Sequence, residues 1–501
     1  MADYVTEVVN VRNCQITFVN EKITYQADEG MTVMEALKAA GIVVDAPCGG
    51  NGKCGKCRVR INGETLLACR TEIHGDMCVE TAAQQETQIL VEGVSGNVVF
   101  APEPYPEETE RPLLAAVDLG TTTVVVYLMD GTTGKLLSVK SMMNPQRQYG
   151  ADVVMRSSYA MEQGVEALSG CIRRAVSVLL REAAREAGAS WEDIMRIVMV
   201  GNSCMHHLFL ELPLNSLVLA PYQPVVREAV RRKASDCGIL VHPQAELCWL
   251  PLIGGFVGAD TVGCMLASRI DLAEEMTLIV DIGTNGEMVL GNRDGCMACS
   301  TAAGPAFEGA RITCGMRGNA GAIDHVRIGN GGIRCHVIGD GEPTGICGSG
   351  LLDAAACFLE AGIMDAGGKL KETYYFTPMV FINQKDIREL QLAKAAIAAG
   401  IRLLCAHMGI RVCDIRQVLL AGAFGNYLEP ESACRTGLLP QELAGRIRSI
   451  GNAAGEGARI AVSSGREYAR ASELARQIRF LELASDAEFQ DIYVDELGFP
   501  E

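Results

Sequence analysis

The sequence predicts two regions of different fold class, a small α+β domain at the amino terminus and a larger α/β domain formed by duplication. Three observations predict this. Four cysteines lie close together within residues 48–69. An Asp-x-Gly-Thr turn between two apolar segments occurs twice, beginning at Asp118 and at Asp281. A segment with four prolines and four glutamates, residues 101–112, separates the cysteines from the first of these turns.

Composition sets the limits of the function. The chain has 501 residues, of which 49% are hydrophobic and 21% charged, so it has material for several globular cores. Its net charge of −17 disfavours a nucleic-acid partner. The start lacks the features of a signal peptide, and no run of eighteen apolar residues predicts a membrane span. The twenty cysteines show no paired spacing outside the cluster, so we expect a cytoplasmic protein with reduced thiols.

The amino-terminal region predicts a compact arrangement around the cysteine loop. Thr32 and Glu35 have the spacing of a capping box for a short helix that ends at Gly41. Alternating apolar residues predict strands before and after this helix. The predicted strands cover 14–20, 22–27, 57–61 and 77–81.

The cysteine loop predicts a metal site. Cys48, Cys54, Cys57 and Cys69 are separated by gaps of five, two and eleven residues, and four thiolates suit a 2Fe–2S cluster. Glycines at 49, 50, 52 and 55 allow backbone N–H groups to approach the sulfurs. A structural zinc site is the alternative, although such sites usually have two Cys-x2-Cys knuckles. Cys78 is the competing fourth ligand, but its position within a strand favours a buried thiol.

A hairpin, a helix, a ligand loop and closing strands within about ninety residues resemble the plant- and adrenodoxin-type 2Fe–2S ferredoxins. The resemblance implies a β-grasp domain over residues 1–92, and Cys69 follows an apolar pair as the last ligand does in that family. Residues 93–112 are then predicted to be an extended, semi-rigid linker.

The duplicated turn predicts a phosphate-binding site. The first turn is Gly120-Thr121-Thr122 and the second is Gly283-Thr284-Asn285. Glycine permits a tight turn with N–H groups directed at phosphate, and the hydroxyl groups add donors. Asp118 and Asp281, at the ends of the preceding strands, are predicted to hold Mg²⁺ through water. A repeat of this kind implies two related subdomains that face each other.

Two glycine-rich segments extend the predicted nucleotide site. Gly422 and Gly425 follow an apolar strand, where close backbone approach would suit a nucleoside, although a packing role is the alternative. Residues 345–362 predict a glycine-rich turn and a helix that crosses between the subdomains. This constellation resembles the superfamily of actin, sugar kinases and heat-shock chaperones. It implies a ribonuclease-H-like ATPase with subdomains at 113–276 and 277–501, and no Walker-type motif occurs near the turns.

The two resemblances together are similar to the reductive activators of corrinoid proteins. Segments at 144–153, 200–208, 251–260, 303–316 and 480–489 fit that family. The resemblance implies one-electron reduction of inactive Co(II) to Co(I) with a 2Fe–2S cluster, assisted by ATP and Mg²⁺, within a methyltransferase or O-demethylase system. It also implies a corrinoid protein as partner, a low-potential electron donor and a homodimer as a further possibility.

Other polar residues have competing interpretations. Asp260 and Glu308, each in a glycine-rich turn, are candidates for positioning the hydrolytic water, and stabilisation of the turn is the alternative. His206 and His207 lie in an apolar run and are expected to be core residues. For the whole chain, two other functions remain open, a redox-regulated kinase for a small metabolite and a redox-switched nucleotide-binding chaperone.

Overall fold

The computed structural model describes residues 13–42, 44, 46, 48–52, 55–81, 90–93, 98–105, 109–330 and 332–500. The chain divides into two compact units. The smaller unit comprises Met1–Gln85 and Asn144–Ile172, and the larger unit comprises Glu86–Met143 and Arg173–Glu501. This grouping differs from the domain boundaries expected from the sequence, which remain a prediction.

The smaller unit contains a mixed five-stranded sheet with a helix on it. The strand order is β2-β1-β5-β3-β4, in which β1 is parallel to β5 and the other neighbours are antiparallel. The bounds are β1 Asn13–Phe18, β2 Ile23–Asp28, α1 Val33–Ala39, β3 Arg58–Ile61, β4 Glu64–Leu67 and β5 Met77–Thr81. The predicted capping box is confirmed, because Thr32 and Glu35 each accept the other's backbone N–H at the start of α1.

The core of this sheet follows the alternation in its sequence. Ile16 and Phe18 on β1 are fully buried, as is Leu37 on α1. Residues 144–172 belong to the same unit and contain α2 (Val153–Gln163) and the first residues of α3 (Glu166–Glu186). The Lys38 ammonium on α1 lies 5.0 Å from the ring centre of Tyr149, so a cation–π contact joins this segment to the sheet domain.

The larger unit contains two six-stranded sheets of matching topology. Their strand orders are β10-β11-β9-β6-β7-β8 and β21-β20-β12-β13-β14-β22. In each sheet three consecutive antiparallel strands are followed by two strands parallel to the first of them. The sixth strands differ, because β10 pairs antiparallel with β11, whereas β22 pairs parallel with β14 at the opposite edge. The first half has β6 Leu113–Leu119, β7 Thr123–Asp130, β8 Leu136–Met143, β9 Ile194–Gly201, α4 Ser203–Leu210, α5 Asn215–Val218, β10 Val230–Lys233, β11 Glu246–Trp249 and α6 Ala259–Ser268.

The second half repeats this plan with insertions. Its elements are β12 Thr277–Ile282, β13 Gly286–Asn292, β14 Gly295–Thr301, β15 Ala322–Gly329, β16 Gly332–Val337, β17 Gly345–Ile346, α7 Gly348–Glu360, β18 Tyr374–Tyr375, β19 Phe381–Ile382, α8 Gln384–Met408, β20 Gln417–Ala421, α9 Gly422–Tyr427, α10 Pro430–Arg435, β21 Ile447–Gly451, α11 Ala453–Ser463, α12 Gly465–Gln477, β22 Arg479–Leu481 and α13 Phe489–Asp495. The duplication predicted from two short turns thus extends to whole sheets.

The two halves are joined by α6 and α11, not by α7 as the sequence suggested. Helix α7 packs on β15 within the second half, where Leu351, Leu352 and Phe358 are buried in its core. Helices α6 and α11 cross where both carry glycine. A Cβ on Gly263 would lie 2.7 Å from the carbonyl oxygen of Ala454, and a Cβ on Gly457 would overlap the Gly263 backbone. The close approach therefore requires glycine at both positions.

The segment predicted to be an extended linker is fixed to the larger unit where the structure describes it. The Arg196 guanidinium donates to the carbonyl oxygens of Glu103 (3.0 Å) and Pro104 (2.9 Å). The Tyr105 hydroxyl donates to the Gly131 carbonyl at 2.5 Å, and Ala101 N–H donates to the Ser463 carbonyl at 2.9 Å. These contacts give the carbonyl oxygens of Glu103 and Pro104 and the N–H of Ala101 partners within the larger unit. The assignment of 93–112 as an extended, semi-rigid linker stays a prediction.

One helix among the described residues, α8, is long and apolar enough by length and composition to cross a membrane. Its apolar window is 78% buried inside the protein. Its inward face carries residues such as Ile397 and Leu404 of the second half's core, which accounts for its apolar composition.

Candidate functional site

Three of the four candidate cluster ligands lie in the described chain, and Cys54 lies outside it. Cys57 precedes β3 and Cys69 follows β4 in a short 3-10 turn. Because β3 and β4 form a hairpin, the two thiols converge, with their sulfurs 3.3 Å apart and no disulfide between them. Cys48 forms no disulfide and lies near enough to Cys69 to raise the pKa of that thiol.

The loop backbone turns toward these sulfurs. Gly52 has a φ of +69°, and a side chain there would overlap the Arg70 guanidinium, which donates to the Gly52 carbonyl at 2.8 Å. Burial, and then the Cys57 thiol, raise the pKa of Cys69 to about 11, while a hydrogen bond from the Gly52 backbone lowers it. A 2Fe–2S cluster binds to cysteine thiolates, and hydrogen bonds from backbone N–H groups stabilise these sulfurs. The close thiols of Cys57 and Cys69 and the neighbouring Gly52 N–H therefore suit such a cluster.

Cys78 differs from the expectation that it is buried. It is exposed on β5, between Met77 and the fully buried Val79. Alternation along a strand places Cys78 and Val79 on opposite faces of the sheet. The competing ligand therefore lies on the solvent face, whereas Cys57 is 1% exposed.

The two predicted phosphate turns occupy the same place in their sheets but differ in length. Each turn directly follows the strand that carries its aspartate, Asp118 on β6 and Asp281 on β12. Gly120 N–H donates to the Thr123 carbonyl at 2.9 Å, and Gly283 N–H donates to the Asn285 carbonyl at 2.8 Å. The second turn is thus one residue shorter than the first.

A polar side chain from a later glycine-rich segment holds a threonine of each turn. Asn202, which caps α4, donates to the Thr121 hydroxyl at 2.8 Å. The Thr284 hydroxyl donates to Glu308 at 2.7 Å. Glu308 therefore lies at the second turn, which agrees with a site position and also with the alternative of turn stabilisation. Its assignment to the hydrolytic water stays a prediction.

Four acidic side chains converge between the two turns: Asp118, Asp260, Asp281 and Glu287. Burial, the Asp260 charge and the Asp118 charge, in that order, raise the pKa of Asp281 to about 7. Burial and then the Asp260 charge raise the pKa of Asp118 to about 7 against a hydrogen bond from Asn452, and burial raises that of Asp260 to about 6. Such repulsion favours a bound cation.

Glu287 was not found from the sequence. Its pKa is raised well above the ordinary value by burial and then by Asp260 and Asp281. It lies on β13 directly opposite Asp281 of β12. The available signal was an acidic residue at the start of an otherwise apolar strand next to the turn.

The carboxylates fit a hydrated magnesium ion. Within the described ranges no three His, Cys, Asp or Glu side chains come close enough to hold a metal ion directly. Mg²⁺ retains several waters and binds to proteins through one or two carboxylates and the phosphates of its nucleotide. Contact of Asp118 and Asp281 with Mg²⁺ through water stays a prediction.

The third glycine segment reaches the same site. Gly422 follows β20 with a φ of +78°, and a Cβ there would overlap an Asp281 carboxylate oxygen. Phe424 of this segment stacks on Phe307 with ring centres 4.6 Å apart. Gly425 instead packs against Leu420, where a Cβ would lie 3.0 Å from the Leu420 side chain. The structure thus brings Gly422 to the carboxylates and gives Gly425 a packing contact.

The histidine pair is part of the core, as expected. Both rings are fully buried. His207 Nδ1 donates to the Ser203 carbonyl at 2.7 Å, and its Nε2 accepts from Val225 N–H at 3.0 Å. His206 packs edge-on against Trp249, and burial lowers the pKa of His206 to about 3.

A ferredoxin-type sheet with converging cysteines, joined to a duplicated fold with a carboxylate-lined cleft, defines an iron–sulfur protein with an ATPase-type domain. Residues 17–85 match the model of the 2Fe-2S iron-sulfur cluster binding domain, residues 113–273 that of the RACo middle region, and residues 275–501 that of the C-terminal ASKHA domain of RACo. The corrinoid activation enzyme RamQ of Eubacterium limosum is 33% identical over 92% of this chain and 95% of its own. The chain belongs to the family of reductive activators of corrinoid proteins.

Two further comparisons agree. The Co(II) methylated amine-specific corrinoid protein reductase of Methanosarcina barkeri is 27% identical over 77% of this chain and 76% of its own length. A solved structure titled reductive activator for corrinoid, iron-sulfur protein matches with a TM-score of 0.72 and 28% identity, covering 97% of this chain and 98% of its own. The predicted fold class, a β-grasp 2Fe–2S domain followed by an actin-like duplicated domain, is thereby confirmed.

Proposed function

We propose that this protein reduces the inactive Co(II) form of a corrinoid protein to Co(I), with one electron per cobalt and with ATP and Mg²⁺ bound in the larger unit. The observation that carries the proposal is the presence, in one chain, of converging cysteines and a duplicated carboxylate-lined site. The relatives with the same organisation are named for corrinoid activation. A bound 2Fe–2S cluster supplies single-electron transfer.

The cysteine loop holds the electron-transfer group in this proposal. Cys48, Cys54, Cys57 and Cys69 are the ligands, and burial of Cys57 limits the access of water to it. The Arg70–Gly52 hydrogen bond fixes the loop, and backbone N–H groups stabilise the thiolates. An external low-potential donor returns one electron for each electron passed to Co(II).

The larger unit holds the nucleotide in this proposal. Asp118 and Asp281 hold Mg²⁺ through water, and the turns at 120–122 and 283–285 contact the phosphates. Gly422 lies toward the nucleoside. Asp260 and Glu308 are the candidates for orienting the attacking water, and Glu287 adds a further acidic side chain opposite Asp281 on the neighbouring strand.

Nucleotide energy enters only through differential affinity. A tenfold change in a one-electron equilibrium corresponds to about 59 mV, and a hundredfold change to about 2.7 kcal/mol. A nucleotide-bound form that binds the Co(I) partner about a hundredfold more tightly than the Co(II) partner would shift the cobalt equilibrium by that amount. The corrinoid protein is therefore expected to bind more tightly after reduction.

The surroundings of the protein form the remaining part of the proposal. None of the nineteen described cysteines forms a disulfide, which supports the proposal of a reducing compartment such as the cytoplasm. A homodimer is compatible with the family but rests on no contact described here.

The test mixes pre-reduced protein, Mg·ATP and a Co(II) corrinoid protein and follows the Co(I) absorbance. We expect Co(I) to form in the presence of ATP, and we expect Co(I) formation to be at least tenfold lower when ATP is omitted. The kinase alternative predicts ATP turnover with a small metabolite and no effect on cobalt, and the chaperone alternative predicts ATP binding without reduction. Absence of Co(I) under these conditions contradicts the proposal.

A further inference from the structure

The carboxylate of Asp118 is connected to the chain segment 91–93 through two side chains. Asn452 donates to Asp118 Oδ2 at 2.9 Å and to the Tyr127 hydroxyl at 3.1 Å. The Tyr127 hydroxyl donates to the Val91 carbonyl at 2.7 Å. A continuous series of hydrogen bonds therefore runs from the first phosphate turn to a segment that no predicted site includes.

The direction of these hydrogen bonds is fixed by the fold. Asn452 caps α11, and its Oδ1 accepts the Gly455 N–H at 2.9 Å. The amide oxygen is thus used, and the two hydrogens on Nδ2 go to Asp118 and Tyr127. The Tyr127 hydroxyl accepts one of them, so its own hydrogen goes to Val91. Removal of one member leaves its neighbours without partners in a buried site.

The backbone of segment 91–93 is held at the same place. Asn452 N–H donates to the Glu92 carbonyl at 2.7 Å, and Gly93 pairs with Gly451 at the end of β21. A Cβ on Gly93 would lie 2.6 Å from the Asn452 carbonyl oxygen. Asn452 therefore contacts the nucleotide-site aspartate with its side chain and segment 91–93 with its backbone.

The position of segment 91–93 in the chain gives these contacts a consequence. It follows the ferredoxin-type domain, whose last strand ends at Thr81, and it is the first described part of the larger unit. From the hydrogen-bond series we propose that Asn452 and Tyr127 are positioning residues that couple the nucleotide site to the tether of the ferredoxin-type domain. The inference rests on the proposed function and adds a route by which the nucleotide acts on that domain.

The physical basis is competition for one carboxylate. Asp118 Oδ2 accepts a hydrogen bond from Asn452. A hydrated Mg²⁺ with its nucleotide would bind to the same Asp118 carboxylate. This binding would change the strength and the position of the carboxylate as a hydrogen-bond acceptor. Asn452 also donates hydrogen bonds to the Tyr127 hydroxyl and the Glu92 carbonyl. A shift of the Asn452 side chain therefore alters the hydrogen bonds that fix segment 91–93. The effect needs only this differential interaction between the two states.

Tyr127→Phe tests this coupling, and Tyr105→Phe is the matched control. Both variants remove a tyrosine hydroxyl that donates to a backbone carbonyl within the larger unit. Tyr127 is joined to Asp118 through Asn452, whereas Tyr105 contacts the Gly131 carbonyl. Hydrogen exchange of the peptides covering 90–93 and 451–455 is measured with and without a saturating non-hydrolysable Mg·ATP analogue.

In the wild type and in Tyr105→Phe the analogue should change exchange of these peptides by about fivefold or more, the lower range of measured couplings. In Tyr127→Phe the change should fall below twofold at saturating analogue. Asn452→Asp keeps the helix cap and removes both donated hydrogen bonds, so it serves as a second variant with the same expected loss.

No nucleotide response of these peptides in the wild type, or an equal response in Tyr127→Phe and Asn452→Asp, overturns the inference. This readout does not involve cobalt. A wild type that reduces Co(II) with ATP but shows no exchange response contradicts only the coupling. A wild type that shows the response but forms no Co(I) contradicts only the proposed function.

Discussion

Binding of Mg²⁺ with nucleotide should release protons from the buried carboxylates. Burial raises the pKa of Asp118 and that of Asp281 to about 7 each, and that of Asp260 to about 6. These pKa values are raised, so between about pH 4 and pH 7 the folded site holds protons that an exposed carboxylate would have lost. A cation favours the charged form and lowers the pKa values. Binding of the cation therefore releases protons from these carboxylates.

The pKa values set the size of the effect. At pH 6.0 Asp118 and Asp281 are each about nine-tenths protonated and Asp260 about half, so release of about one to two protons is expected. At pH 8.0 these three aspartates are mostly ionised, and their share of the release should fall below about half a proton. Affinity for Mg²⁺ and nucleotide should rise about tenfold per pH unit for each proton displaced below pH 7, and then level off.

Titration calorimetry measures this release. The apparent binding enthalpy at pH 6.0 is compared between buffers of different ionisation enthalpy, and its slope is the number of protons released. The nucleotide's own proton release on binding Mg²⁺ is subtracted by use of preformed complex. Asp365→Asn, which alters an exposed carboxylate outside the cleft, is the control and should leave the slope unchanged. A slope near zero in the wild type at pH 6.0 would refute the assignment of the raised carboxylates to the cation site.

Two further predictions concern the cluster and the helix crossing. Cys69→Ser should lose most of the iron and the visible spectrum of the purified protein. Cys78→Ser should retain both, because Cys78 is exposed on the opposite face of β5 from the buried Val79. The reverse result would make Cys78 the ligand. Gly457→Val should lower the free energy of unfolding by about 3 kcal/mol or more, because a Cβ there overlaps the Gly263 backbone. Ala469→Val, at an exposed position, is the control. Equal melting temperatures of the two variants would show that the helix crossing tolerates side chains.

Local patterns predicted the parts of the site that lie close together in the sequence. The cysteine loop, the capping box at Thr32 and the two Asp-x-Gly-Thr turns each occupy a few consecutive residues, so their chemistry can be recognised without the fold. Asp260 was proposed as a residue of a glycine-rich turn, but it lies in the first turn of α6, and its role at the hydrolytic water stays a prediction.

Long-range pairings were missed because a single sequence does not contain them. Asn452 contacts Asp118 across 334 residues, and neither residue type alone predicts the other. Glu287 becomes part of the cleft only through the register that places it opposite Asp281. The connecting helices were misassigned since the glycines that permit their crossing, Gly263 and Gly457, lie far apart in the chain.

The proline- and glutamate-rich segment shows the limit of composition as evidence. Its residues favour extended backbone, and this predicted an extended, semi-rigid linker. The Arg196 guanidinium and the Gly131 carbonyl supply partners that composition does not reveal. Extended backbone is thus compatible with a fixed position on the larger unit.

Single-turnover reduction of a Co(II) corrinoid protein tests the central claim most directly. Protein reduced in advance and freed of donor is mixed with the corrinoid protein, with and without Mg·ATP, and Co(I) absorbance is compared with loss of the reduced-cluster signal. The proposed function predicts one Co(I) for each electron lost, at least tenfold faster with Mg·ATP in the wild type, and no acceleration by Mg·ATP in Asp281→Asn. Equal rates with and without Mg·ATP, or oxidation of the protein without Co(I), would contradict ATP-dependent activation.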